Sequence, residues 1–303
     1  IETSASAGEV NVTSTSTGDV VVVDLAHGND QDLETVQTLE RVLVENGYGV
    51  RYHRSDDTSG STSSVAVTNG LGSGSEGPDL NASLQGADAY VIVNPSEPYE
   101  RNDTAAVEAF ADAGGRVLVM SDPGSLGLAG LLAQALGVGG GGAPDALAPV
   151  SSRFGVGVGS GYLYNMAGYD GNYQSVFARG ASGSLSDGVD RVSLHRAAPV
   201  VAGPDATVGI ETGPETELST SGAARRYAVA ARNGNVAIVG DTSLLDPARL
   251  HHADNEVLVG NLVEFLVDGG SVSPNAIPTS DGRPSASATG GAPAIAVGNA
   301  SVE

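Results

Sequence analysis

The sequence predicts an α/β fold of three layers on a mainly parallel sheet, with a β-rich insertion. Three observations predict it. Val20-Val21-Val22-Val23 is a β-branched run, too short for a buried helix and suited to a strand covered on both faces. Strand-like apolar runs then alternate with helical periodicity up to Leu136. That alternation is lost from Pro149 to Ala224 and resumes at Arg226.

Residues 1–19 are rich in Ser, Thr and Gly, with Val10 and Val12 as an alternating apolar pair, and read as an extended arm. Residues 20–148 form the first part of the α/β domain. Its opening strand stops at Asp24, followed by His27-Gly28-Asn29. Leu33, Val36, Leu39, Val42 and Leu43 then recur at helical spacing, closed by Asn46-Gly47. Val50 and Tyr52 begin a second strand, and Ser55 to Pro78 is a long polar loop. Ala89 to Val93 is a third strand, broken at Asn94-Pro95. Thr104 to Ala113 reads as a helix ended by Gly114-Gly115. Val117 to Met120 is a fourth strand, and Leu126 to Leu136 an apolar helix. Ordered strand–helix steps of this kind argue a doubly wound, flavodoxin-like layering.

Residues 149–224 read as the insertion, anchored by Tyr162, Tyr164, Tyr169, Tyr173 and Phe177. Tyr clusters can mark a sugar or partner surface; filling a small core is the favoured reading, because aromatics dominate burial. Residues 225–270 return to the α/β pattern. A hairpin turns at Asn233-Gly234 between two apolar runs, and Asp254 to Val267 forms a closing helix. Residues 271–303 are a second arm, where Ile295 and Val297 alternate like a short strand.

Composition narrows the habitat. All 14 basic residues are Arg, against 36 acidic ones, for a formal charge of -22. So acidic a chain is unsuited to nucleic acid, which needs Lys or Arg against phosphate. At low salt its self-repulsion strains the fold; at molar salt the Debye length shrinks to about 3 Å and most of that cost disappears. An acid-rich, Lys-free, Ala/Val/Gly-rich composition resembles proteins of extremely halophilic archaea. There is no Cys, which excludes disulfides, thiolate metal sites and a Cys nucleophile. No apolar run is long enough to span a membrane. The chain starts at Ile1 rather than Met, which suggests loss of an N-terminal piece such as a signal peptide. Sequons at Asn11, Asn81, Asn102 and Asn299 are the glycosylation candidates.

Asp24, Asn94, Asp122 and Asp241 each follow an apolar run, so parallel strands would bring them to one sheet edge, with His27 beside Asp24. Oxygen ligands there could hold Ca²⁺ or Mg²⁺, or bond a sugar. Capping of the next helix and Asx turns are the commoner use of such residues. His27 with Asp24 or Asp241 could be half of a Ser-His-Asp arrangement, with Ser121 or Ser243 available. Neither serine sits in Gly-x-Ser-x-Gly. His251-His252 lacks the spacing of a helical metal pair and is expected beside the last helix. Gly137 to Gly142 is no phosphate loop, lacking a following Lys-Ser/Thr, and Gly155 to Gly159 does not precede a helix.

Several short motifs occur in order: Asp24-Leu25-Ala26-His27-Gly28-Asn29, Phe154-Gly155, Tyr162-Leu163-Tyr164-Asn165, Gly240-Asp241-Thr242 and Asp254-Asn255-Glu256-Val257-Leu258. The set resembles an uncharacterised haloarchaeal domain family related to the class I glutamine amidotransferase-like domains of gliding-motility transporter accessory proteins. The resemblance covers about residues 20–268. It implies an amidotransferase-like three-layer fold without known catalysis. Active amidotransferases use a Cys nucleophile at a strand–helix elbow, and this chain has none.

The expectation is therefore a non-catalytic, exported surface protein, a subunit of an extracellular homopolymer, filament or lattice, linked through its arms. A ligand- or glycan-binding surface domain, or a hydrolase using the Asp24/His27/Asp241 edge, is the alternative.

Overall fold

Val20–Asp24 (β1) lies inside the main sheet, hydrogen-bonded on both sides. In the computed structural model the described residues are 10, 12–14, 18–29, 33–54, 79–123, 143–269 and 272–273. The expected helix at 126–136, the glycine run at 137–142, the loop at 55–78, Asn11, Asn299, Ile295 and Val297 lie outside them.

Four more strands run parallel to β1: Gly49–His53 (β2), Ala89–Val93 (β3), Arg116–Met120 (β4) and, late in the chain, Val236–Val239 (β13). Their spatial order is β2-β1-β3-β4-β13. That is the flavodoxin-like order, with its switch point between β1 and β3. Beyond β13 the sheet continues antiparallel through Ala228–Asn233 (β12), Thr207–Thr212 (β10), Ser175–Gly180 (β7) and Val192–His195 (β8). Two small ribbons flank it. Val156–Val158 (β5) pairs with Val200–Ala202 (β9), and Leu163–Tyr164 (β6) with Glu217–Leu218 (β11).

Helices cover both faces. Leu33–Glu45 (α1) and Asn255–Val267 (α5) pack on one, where Val21, Val23, Leu39, Leu43, Leu258 and Leu262 form a continuous core. Leu80–Leu84 (α2), Arg101–Asp112 (α3) and Ala143–Phe154 (α4) pack on the other, with Val22, Ile92, Phe110 and Leu147. Successive strand residues point to opposite faces, so the valine run feeds both cores at once. Each such side chain contributes about 1.5–3 kcal/mol on burial.

The two expected glycine stops are Schellman caps. Gly47 (φ 87°) and Tyr48 donate to the carbonyls of Val44 and Leu43. Gly114 (φ 103°) and Gly115 donate to those of Ala111 and Phe110. A Cβ on Gly115 would lie 2.4 Å from the Phe110 ring, so this position also needs the missing side chain.

Three expectations need correction. The hairpin pairs Asn233 with Val236, so Gly234-Asn235 is the loop, one residue later than expected. Gly234 has φ 55°, the positive value a II′ turn requires at its first central position. Residues 149–154 are helical, because Leu147, Val150 and Phe154 continue one apolar stripe across Pro149. The strands of the β-rich stretch chiefly extend the main sheet and share its core: Val176, Leu194 and Ile210 belong to the same cluster as Val21 and Val23. Among the described residues no helix is long and apolar enough to cross a membrane.

The described part of the N-terminal arm lies on its own chain. Val10 is buried in the core shared by α1 and α5, and its carbonyl accepts from Asn46 Nδ2 at 3.2 Å. Thr13 N donates to Glu264 Oε1 at 2.7 Å.

Candidate functional site

The parallel strands bring Asp24, Asn94, Asp122 and Asp241 to one sheet edge, as the alternation of strands and helices requires. There they separate into three networks.

The first fills the switch point between β1 and β3. Asp24 is fully buried. Its Oδ2 accepts from His27 Nδ1 at 2.9 Å, from Asn29 Nδ2 at 3.1 Å and from the Tyr99 hydroxyl. Its Oδ1 accepts from the Ala26 amide at 3.1 Å. The His27 ring stacks on Tyr99, centroids 3.8 Å apart and 10° from parallel. Its Nε2 faces Asp103 Oδ2 at 3.6 Å. Tyr90 and Tyr99 join hydroxyls at 3.2 Å beneath. Gly28 follows because its carbonyl accepts from Ser96 Oγ, and a Cβ there would meet that oxygen at 2.2 Å.

Burial by itself would depress the His27 pKa. The facing Asp103 carboxylate and the hydrogen-bonded Asp24 carboxylate, with their charges, outweigh it and raise the value to about 9. Burial likewise opposes ionisation of Asp24, yet the His27 bond and charge, the Tyr99 hydroxyl and the Ala26 amide hold its pKa below the ordinary value. His53, at the end of β2 with its ring 6.3 Å from His27, is pushed down by burial. It meets Ser83 Oγ at 2.9 Å. The edge therefore carries a charged His beside a neutral one.

The second network ties the ends of β3, β4 and β13. Asp122 Oδ2 accepts from Asn94 Nδ2 at 2.9 Å and Thr242 Oγ1 at 2.6 Å. Its Oδ1 accepts from Thr242 N at 2.8 Å, while its own amide donates to Asn94 Oδ1 at 2.7 Å. Asn94 has φ 41°, a left-handed conformation that Asn tolerates better than most residues. The third network centres on Asp241, fully buried, which accepts from Ser243 N at 2.7 Å, Ser243 Oγ at 3.0 Å and His195 N at 2.8 Å. Burial, then the charge of Asp122, raises the Asp241 pKa to about 7.

This geometry does not assemble the Ser-His-Asp arrangement weighed for His27. His27 pairs with Asp24 and Asp103 and not with Asp241. Ser121 Oγ donates to the Asp122 carbonyl and Ser243 Oγ to Asp241, so neither serine meets His27. The Ca²⁺ or Mg²⁺ reading meets carboxylates whose oxygens already accept from protein donors. Among the described residues no group of three or more His, Asp or Glu is placed to hold a metal ion.

Other candidates fall out as follows. Asn81 is buried, and its side-chain nitrogen donates to Asp79 at 3.0 Å, which does not suit glycosylation; Asn102 is exposed on α3. His251 and His252 precede α5, facing Glu256 and Asp170, each at 3.1 Å. Tyr169 and Tyr173 are exposed and Tyr162 and Tyr164 half-buried; Leu163, Val176 and Ala178 fill the core that the tyrosines were expected to fill.

Sequence reasoning missed Tyr99 and Asp103. Both follow β3 and reach the β1 edge only because β1 and β3 are neighbours. An acidic residue early in the helix after β3 was the available signal.

Fold and edge together define an α/β domain of flavodoxin-like strand order whose switch-point crevice is filled by its own side chains. No protein-family model and no curated protein matches the chain. Among solved structures it is similar to the mmIFT52 N-terminal domain, with a TM-score of 0.57 and 12% identity over 82% of this chain and 97% of that one. A putative ThuA-like protein from Parabacteroides merdae has a TM-score of 0.49 and 9% identity, covering 83% and 90%. At these identities the likeness to the first concerns the fold alone.

Proposed function

We propose that the chain is a non-catalytic α/β domain of an exported haloarchaeal surface protein, a structural unit of an extracellular assembly, related to the amidotransferase-like domains named above. The observation that carries the non-catalytic part is His27. Each of its ring nitrogens faces a carboxylate, and its pKa is raised to about 9. An imidazolium without a free lone pair is not a general base at neutral pH. The crevice that usually takes a ligand in such sheets is occupied by His27, Asp24 and Tyr99. The absence of Cys and Lys removes further nucleophiles. The acidic composition supports a high-salt habitat, and the exposed sequon at Asn102 agrees with export.

The described arm residues favour folding back over exchange between subunits, which moves the assembly contacts elsewhere. Deleting residues 1–18 is expected to lower Tm through loss of Val10 while leaving any assembly intact; loss of assembly would restore the arm as linker. Catalysis is tested with ester, glycoside and amide substrates at molar salt. No turnover is expected. Turnover abolished by His27→Ala with the fold intact would overturn the reading.

A further inference from the structure

Away from the buried cluster, the antiparallel half of the sheet carries a cleft of about 280 Å³. Its walls include Asn165 and Gly168 after β6, Phe177 and Arg179 on β7, Asp190 and Arg191 before β8, and Glu215 after β10. Phe177 and Arg179 are two apart on one strand and so share a face. The Arg191 guanidinium lies over the Phe177 ring, 4.6 Å from its centre.

The charged side chains of the cleft, Arg179, Arg191, Asp190 and Glu215, are all exposed. Among the described arginines, Arg153 and Arg226 are the ones with carboxylate partners. Among the described residues neither Arg179 nor Arg191 makes an ion pair, although Asp190 and Glu215 line the same cleft.

The loop that supplies Asn165 and Gly168 also displays an aromatic row. Tyr162 and Tyr164 have centroids 6.3 Å apart, as do Tyr164 and Tyr173. Arg196 caps the row 5.1 Å above Tyr162, from a left-handed backbone at φ 58°. Met166, Tyr169 and Tyr173 stand 66%, 44% and 43% exposed.

We propose that this surface binds an acidic oligosaccharide, with a uronate unit in the cleft. Arg179 and Arg191 take the carboxylate through charge-assisted hydrogen bonds. Asp190 and Glu215 accept from ring hydroxyls, while Phe177 backs the Arg191 guanidinium that lies over its ring. The tyrosine row offers further faces to units outside the cleft. A bare anion would be repelled by the two acids, and a cationic peptide by the two arginines. A polyol bearing one carboxylate uses both sets.

The test is calorimetry at molar salt, where long-range attraction is screened and only direct contacts count. Trigalacturonic acid, maltotriose and inorganic sulfate are the probes. Trigalacturonic acid is expected to bind more tightly than maltotriose and to resist displacement by sulfate. Arg179→Gln and Arg191→Gln are each expected to weaken it by about tenfold or more, as loss of a hydrogen bond to a charged group implies. Tyr173→Ala is expected to weaken it less. Failure to bind trigalacturonic acid, unchanged affinity in both arginine variants, or complete displacement by sulfate would overturn the proposal. These outcomes are independent of turnover, so they separate this site from the reading of His27.

Discussion

The two halves of the sheet treat polar groups in opposite ways. In the parallel half, Asp24 with His27 and Tyr99, and Asn94 with Asp122, pair at the strand ends, with Asn29 Oδ1 left as the one buried atom of the Asp24 cluster without a partner among the described residues. In the antiparallel half, Arg179, Arg191, Asp190 and Glu215 stand around a cleft without ion pairs among the described residues. Edge position in an α/β sheet is therefore not enough to mark a working site. What matters is whether the polar atoms there still have capacity. A saturated cluster stabilises and orients the chain; an unsaturated one is free to meet a ligand.

Mutations should break this contrast in a definite order. Asp24→Ala should be the most damaging, about 3–5 kcal/mol, because it strands the buried His27 cation and leaves the Tyr99 hydroxyl and Asn29 amide without their acceptor. Denaturant unfolding at molar salt measures this. Gly240→Ala should follow at about 1–3 kcal/mol, because a Cβ there would lie 2.2 Å from the Ala198 carbonyl, where the two halves meet.

Stability should also fall as pH rises. The His27 contribution is complete below about 6.5 and is lost through about 9, its folded pKa being raised. Asp241 acts in the same direction at lower pH. Its folded pKa is raised from 3.8 to about 7, so the preference for its protonated form is lost as pH climbs through that value. Asp24, with a lowered pKa, contributes above 3.8 and loses its contribution as pH falls through its folded value. Thermal melts should therefore peak at mildly acidic pH, and His27→Gln should flatten the decline approaching pH 9. The smallest effects belong to the other half: Arg179→Gln and Tyr173→Ser should change stability by no more than about 0.5 kcal/mol, by the same unfolding measurement.

Much of the parallel half was legible in the sequence. β-branched runs, helical periodicity and glycine stops are local signals, and β3 ends where the Asn94-Pro95 break puts it. The shift of the hairpin by one residue came from reading Asn233-Gly234 as the loop, when Asn233 still pairs with Val236. Pro149 masked a helix whose Leu147, Val150 and Phe154 stripe was present all along. The edge residues were identified, but their partners were not. Tyr99 meets Asp24 across 75 positions, and no spacing rule connects them. The merger of the β-rich stretch with the main sheet was equally hidden, since antiparallel extension depends on which edge remains open after β13 is placed.

The central claim is that His27 is a clamped imidazolium and not a base. Nitrogen-detected NMR titration of the histidine rings at molar salt tests it most directly. Both His27 nitrogens should stay protonated through neutral pH and titrate near 9, while His53 titrates below 6.5. A His27 ring with one bare nitrogen at neutral pH, titrating at or below 6.5, would contradict the account.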